Sequence, residues 1–419
     1  MNVHVNKPVP ITFKMVADAY QRVRRGGQGV GVDGESWEKF DAKLQDNLYI
    51  IWNRLSSGTY HPSAVRETEI PKKDGSKRKL GIPTLRDRIA QSVVKDYMEK
   101  RIDHKFHQNS YGYRPLKSSK AAIEQVRKNC ISKDWVIDLD ISRFFDEIDQ
   151  ELLIKAVERM IEEKWVRMYV GRWLSMKTQD KEGVLHDRQG KGTPQGGVIS
   201  PLLANIFLHY ALDKWLEKHY SHISFVRYAD DMIIHCSTEE EAKVLLKAIR
   251  ERLSQVKLQL NEKKTHIVYC KDYRRRQKHH KVQFDFLGFS YQPRIAKSKH
   301  KEGSSYTAFT AEISQDNQKK IRDAIKKSVN WQNTRMEITA IADKLNSKLR
   351  GWINYFGIYS KRNLRRTLQR LDCYLLNWLM DKHKWKGIRK ATSYLRRLML
   401  ENKSMFFHWE KGYGYFIKK

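Results

Sequence analysis

The sequence predicts an α+β core followed by a purely helical, strongly basic domain. Three observations carry that prediction. Two apolar runs, 135–141 and 225–236, are strand-like but interrupted by acids, and segments with helical spacing alternate with them. Near 292–312 the chain turns basic and gains Ser and Gly. From 313 on, apolar residues recur at helical spacing. At 419 residues the chain exceeds what one hydrophobic core usually supports, so two or three domains are expected.

In order, residues 11–60 read as two helices around the Gly-rich turn Gly26-Gly27-Gln28-Gly29-Val30-Gly31-Val32-Asp33-Gly34. Residues 65–84 read as a hairpin, because Lys73-Asp74-Gly75-Ser76 is turn chemistry between two extended runs. Helical periodicity then runs to about Lys105. The first acid-bearing run is followed by helices over roughly 149–175 and 201–218, and the second by a helix over 238–254. Short strands are expected near 265–270 and 282–291. Farther on, Ile321, Ile325 and Val329 share a face, as do Leu345, Leu349, Trp352, Ile353 and Phe356, then Leu364, Leu368, Leu371, Leu375 and Trp378. Such seams predict a three-helix bundle with Lys344, Lys348, Lys361, Arg362, Arg365, Arg366 and Arg370 outside it.

Charge narrows the partners. Lys plus Arg outnumber Asp plus Glu by 81 to 48, a net of +33. An excess this large points to a polyanion, since neutralising phosphates releases condensed counterions. From Ile313 onward 25 Lys or Arg face 8 Asp or Glu, so about half of the excess lies in a quarter of the chain. The four cysteines form no CxxC pair, which argues against a zinc site or disulfide framework and fits a reducing cytoplasm. No run of about 18 apolar residues occurs, so no membrane partner is expected.

Three carboxylates carry the chemistry. Asp140 ends one apolar strand, and Asp230 and Asp231 stand side by side in the other. Acids on two neighbouring strands would gather at a tight turn, where they repel and raise each other's proton affinity unless a cation compensates. Mg²⁺, a hard ion that takes oxygen ligands, suits such a set, and two ions can serve both ends of a nucleotidyl transfer.

Tyr228-Ala229-Asp230-Asp231 after Phe225-Val226-Arg227, the run from Val136 to Asp146, and Gly190-Lys191-Gly192-Thr193-Pro194-Gln195-Gly196-Gly197-Val198-Ile199-Ser200-Pro201-Leu202-Leu203-Ala204-Asn205 resemble blocks of the group II intron-encoded reverse transcriptases, or maturases. Arg350-Gly351-Trp352-Ile353-Asn354-Tyr355-Phe356 resembles their maturase signature. The resemblance covers roughly 12–380. It implies a right-hand polymerase, with fingers and a palm built on an antiparallel sheet, followed by an all-α thumb. The implied division is 1–60 as a template-binding extension, 61–291 as fingers and palm, 292–312 as a linker and 313–380 as thumb or maturase domain; 381–419 follow as a basic tail for which DNA binding is one reading that the sequence pattern alone does not decide.

The resemblance also assigns roles. Asp140, Asp230 and Asp231 would be catalytic and would hold two Mg²⁺ ions, or Mn²⁺ in their place, with the carbonyl of Ile141 completing a shell. Family spacing, an acid five residues before an aromatic gate, selects Asp140 over Asp138 and makes Phe145 the gate. A bulky ring under the sugar leaves no room for a 2′-hydroxyl. Lys72, Arg78, Gln195 and Lys264 would join Phe145 around the incoming deoxynucleoside triphosphate. Gly29, Tyr111, Arg114, Gly196, Gly197, Leu287 and Gly288 would meet template or primer, and Arg350, Arg362, Arg365 and Arg366 would bind RNA from the thumb.

Expected partners are an RNA template, a DNA or RNA primer, deoxynucleotides and an intron RNA, in a bacterial cytoplasm and on the nucleoid when DNA is engaged. A host-adopted reverse transcriptase for defence or repair, and a non-catalytic RNA-binding splicing cofactor, are the alternatives. The intact acids and basic hairpin argue against the second. Two departures stand out. The connection 271–281 is longer and more basic than the family pattern, with His279-His280 read as charged loop rather than metal site. No Cys/His-rich endonuclease segment follows the maturase signature, so cleavage of target DNA by this chain is not expected.

Overall fold

The computed structural model describes residues 8–71, 75, 77–297 and 304–416. Its contacts divide the chain into two units, Met1–Ala122 with Ile137–Ile267, and Ile123–Val136 with Val268–Lys419. The strands are β1 (Val65–Pro71), β2 (Lys77–Ile82), β3 (Trp135–Leu139), β4 (Thr178–Gln179), β5 (Leu185–His186), β6 (Ser224–Tyr228), β7 (Asp231–Cys236), β8 (His266–Tyr269), β9 (Phe284–Phe286), β10 (Phe289–Lys297) and β11 (Ser305–Ile313). The α+β class and the late helical region are as expected. Among the described residues no helix is long and apolar enough to cross a membrane.

In the first unit the Gly-rich segment is flanked by Phe13–Arg24 and two helices rather than one, Trp37–Asp41 and Leu44–Ser56. Ser36 caps the short one by accepting from the Lys39 amide, and Lys43 leaves helical geometry at φ −128°. Tyr20, Trp37 and Phe40 form its aromatic core. β1 and β2 make the expected hairpin, antiparallel from Arg66↔Ile82 to Pro71↔Lys77, in a sheet of order β2-β1-β4-β5. The second sheet has the order β6-β7-β3-β8, which makes the two acid-bearing segments neighbours. The run 225–236 is not one strand. It folds back on itself at Ala229, whose φ of +59° sets a two-residue turn between the paired Tyr228 and Asp231.

The second unit corrects three expectations. Residues 292–312 are not a linker: β10 and β11 pair from Phe289↔Ile313 to Lys297↔Ser305. Phe309, Ala311 and Ile313 are buried at every second position, a strand pattern masked by the basic, Ser-rich composition. The helix Ser119–Ser132, which the sequence pattern does not reveal, anchors this unit through Ile123, whose carbonyl accepts from the Tyr291 hydroxyl at 3.0 Å. The helical part contains Gln315–Ser328, Ile338–Phe356 and Lys361–His383, the three helices expected over 313–380, and Ile388–Glu401 adds a further helix beyond them. Residues after 380 are not a free tail. The buried Asp372 carboxylate accepts from Trp409 Nε1 at 2.8 Å and the Tyr415 amide at 2.7 Å, which ties that segment to the bundle. The basic connection 271–281 is also partly internal, since Arg275 is buried and donates to the Asp272 carboxylate, the Lys133 carbonyl and the Cys130 carbonyl.

Candidate active site

Asp140 follows β3 and is fixed through its backbone. Its carbonyl accepts from the Asn261 amide at 2.9 Å, and the Thr265 hydroxyl lies 3.3 Å from both its amide and its carbonyl. Ile141 is buried and bridges Leu260. These ties leave the Asp140 side chain 40% exposed, with Lys264 Nζ 3.8 Å from its carboxylate.

Asp230 sits in the β6-β7 turn and Asp231 opens β7. Burial, then the charges of Asp138, Asp230 and Asp140, holds the Asp231 carboxyl well above the usual carboxylate range. Asp230 is also raised, by burial first and then by Asp140, against the charges of Arg78 and Arg227. The three acids therefore share one electrostatic field. Asp138, set aside in favour of Asp140, contributes to it as well, because residues two apart on a strand face the same way.

The turn rests on a buried support. Arg227, fully buried, donates to Asp213 from Nε at 2.8 Å and Nη2 at 2.5 Å, to Asn205 Oδ1 at 2.9 Å and to the Ala229 carbonyl at 3.0 Å. Asn205 in turn donates to the Gly112 carbonyl at 2.7 Å. Residues 109–111 run beside β6, with the Tyr111 amide donating to the Arg227 carbonyl at 2.8 Å. Gly112 is required where this segment crosses the turn, for a Cβ there would stand on the Ala229 amide and 2.9 Å from the Tyr228 carbonyl carbon. The sequence pattern does not reveal this network: Arg227 stands in an apolar strand, and its partner Asp213 lies in a helix with no local signal.

The loop after β5 is laced to the Phe145 helix, Phe144–Glu147. The Thr193 amide donates to the Phe145 carbonyl at 2.8 Å and Gln195 Nε2 to Asp146 Oδ1 at 3.0 Å. Phe145 is half-buried, edge-on to the buried Phe144 at 5.3 Å. The Gly81 amide of β2 donates to the Gln195 carbonyl at 2.7 Å, and at Gly196, φ +115°, a Cβ would meet the Gly81 carbonyl at 2.6 Å. Gly197 is closed off likewise, with Ser200 Oγ 2.6 Å from its would-be Cβ. Packing thus accounts for both glycines without a ligand. The Gly-rich N-terminal segment is held by Arg88, which donates to the carbonyls of Gly29, Gly27 and Pro83.

Other expected contacts divide. Arg78 lies on β2, its charge reaching Asp230, whereas Lys72 lies outside the described residues. Arg114 is not a template contact: its side chain is only 6% exposed and spends all five N–H donors on Asp103 and the carbonyls of Asp103, His107 and Ser110. Tyr111 is buried too. The exposed aromatic of that block is Tyr113, whose hydroxyl feels the charges of Asp230 and Arg78. In the second unit, Leu287 (φ +47°) and Gly288 (φ +83°) form the turn between β9 and β10, with their carbonyls accepting from Tyr355 Oη at 2.9 Å and Asn317 Nδ2 at 3.1 Å. Arg350, Arg362 and Arg366 are exposed, and Arg365 is half-buried.

The donor set is all oxygen, hard and strongly anionic, which fits divalent cations. Among the described residues no three acidic, His or Cys side chains already stand gathered closely enough to hold one.

Residues 70–291 match the family described as reverse transcriptase (RNA-dependent DNA polymerase), and residues 318–397 the group II intron maturase-specific domain. Protein YkfC of Escherichia coli is 34% identical over 59% of this chain and 74% of its own length. Group II intron-encoded protein LtrA of Lactococcus lactis is 27% identical over 87% of this chain and 72% of its own. A solved telomerase from Candida albicans is a distant likeness, with TM-score 0.47 and 13% identity over 89% of this chain and 67% of that one. The chain belongs to the reverse transcriptase family, as an RNA-directed DNA polymerase of the group II intron type with a maturase domain.

Proposed function

We propose that this chain extends a primer 3′-hydroxyl with deoxynucleoside triphosphates on an RNA template, using Mg²⁺ with Mn²⁺ able to replace it, and that its thumb binds an intron RNA to assist splicing and mobility. Reverse transcriptases work on a nucleic-acid template and primer and generally use divalent metal ions. The observation that carries the reading is the shared field of Asp140, Asp230 and Asp231, with Lys264 3.8 Å from Asp140. Asp140, Asp230 and Asp231, with the Ile141 carbonyl, would hold the ions. Once bound, such ions make a primer hydroxyl more acidic and neutralise charge on the departing pyrophosphate.

The chain's own residues do the rest. Arg78 on β2, with Lys72 by the sequence pattern, attracts the triphosphate, Arg78 with a forked donor. Phe145 supplies a wall beneath the sugar. Gln195, oriented by Asp146, faces the nucleotide or its template partner. Exposed Arg350, Arg362 and Arg366 present cations to RNA phosphates. The test is extension of a DNA primer on RNA with deoxynucleotides and Mg²⁺. Changing Asp230 and Asp231 together to Ala is expected to abolish extension while RNA affinity stays within a few-fold. Undiminished extension by that variant refutes the assignment.

A further inference from the structure

A groove in the first unit shares no lining residue with the aspartate site. Three helical stretches wall it, Gln150–Met160, the run from Ser200 to His219, and Glu239–Gln255. Its volume is about 490 Å³, room enough for a nucleobase and its sugar. The floor is apolar, with Leu152, Ala156, Phe207 and Ala211. Around it stand Lys155, Arg159, Lys214, Lys218 and Arg252. Glu151 pairs with Lys155 at 2.6 Å and Glu217 with Lys214 at 2.8 Å. Arg159 and Lys218, both exposed, have no carboxylate partner among the described residues. Arg252 is set in place by the carbonyls of Ala211 at 2.9 Å and Tyr210 at 3.2 Å. Half-exposed Trp215 offers an indole face, steadied by His219 at 5.9 Å and Tyr220 at 5.2 Å.

An aromatic face over an apolar floor, ringed by cations, matches the chemistry of a single strand: bases stack while phosphates pair with Lys and Arg. An acidic amphipathic protein helix would need a continuous apolar strip along the rim, where this groove carries charge. We propose that it is a second binding site for single-stranded RNA, seating a base against Trp215 while Lys155, Arg159 and Lys218 neutralise flanking phosphates. The site is separate from the polymerase reading above and does not depend on it.

The full chain, first saturated with a short unlabelled primer–template, is titrated with a labelled unstructured RNA of about 20 nucleotides at several salt concentrations. The variant Lys155→Glu, Arg159→Glu, Lys218→Glu is expected to bind about 10-fold more weakly, with its log–log salt slope reduced by about 2. Trp215→Ala is expected to lose about 5- to 50-fold with the slope unchanged, and Trp215→Phe to recover most of that. Thermal melts and extension of the short primer–template should match the parent chain, which separates failure here from failure of the catalytic assignment. RNA binding unaltered by Trp215→Ala overturns the proposal, as does an acidic amphipathic peptide that binds the groove while RNA affinity stays unchanged in every variant.

Discussion

Arg227 and Asp213 form an ion pair with neither side chain exposed, and the same guanidinium holds the carbonyl of Ala229 in the turn that presents Asp230 and Asp231. The acids owe their place to a charge pair that touches no substrate. Burial alone would raise the Asp213 carboxyl, but the charge and hydrogen bonds of Arg227 more than offset it, so Asp213 titrates below its ordinary value.

A carboxyl lowered in this way stabilises the fold at pH above its unfolded value, and that stabilisation is lost as pH falls through the depressed folded one. Asp213→Ala leaves Arg227 buried without its counter-charge. It is expected to lower stability by about 3–5 kcal/mol at neutral pH and to flatten the acid limb of stability against pH. Denaturant melts from pH 7 downward check both effects.

Gly112→Ala places a methyl group against the Ala229 amide, where backbone rather than a flexible side chain must yield. Overpacking there is expected to cost about 1–3 kcal/mol. Because the displaced atoms carry the turn that presents Asp230 and Asp231, proposed to be catalytic, primer extension should fall by about 100-fold or more while RNA affinity is kept. Parallel melts and single-turnover extension measure the two.

Phe145→Val removes the ring proposed to lie beneath the sugar without touching the Thr193 amide's bond to the residue 145 carbonyl. Discrimination against ribonucleotides should drop by about 10-fold or more. Competition between matched ribo- and deoxynucleotides reads this directly. Full rejection retained by the variant would remove Phe145 from the gate.

Neutralising Arg362, Arg365 and Arg366 together is expected to weaken RNA binding by about 10-fold and reduce its salt slope by about 2. Arg365 is half-buried and lies 3.4 Å from the Gly414 carbonyl, so part of the change should appear as lower thermal stability. Filter binding across salt, beside a melt, separates the two contributions.

What the sequence determined by itself was whatever short-range pattern encodes: the α+β class, the hairpin β1-β2, the apolar seams of the helical region, and the acids at 140, 230 and 231. Periodicity and turn chemistry act within a few residues, so they can be read in line. Only the tertiary structure decided that Arg114 is an internal brace and Tyr113 the exposed aromatic, since both lie in one six-residue block and differ only in what surrounds them. It also decided that 292–312 is mostly sheet, because a strand's partner lies elsewhere in the chain. The pairing of Arg227 with Asp213 belongs there too. A buried charge is explained only by its counter-charge, and folding alone brings the two together.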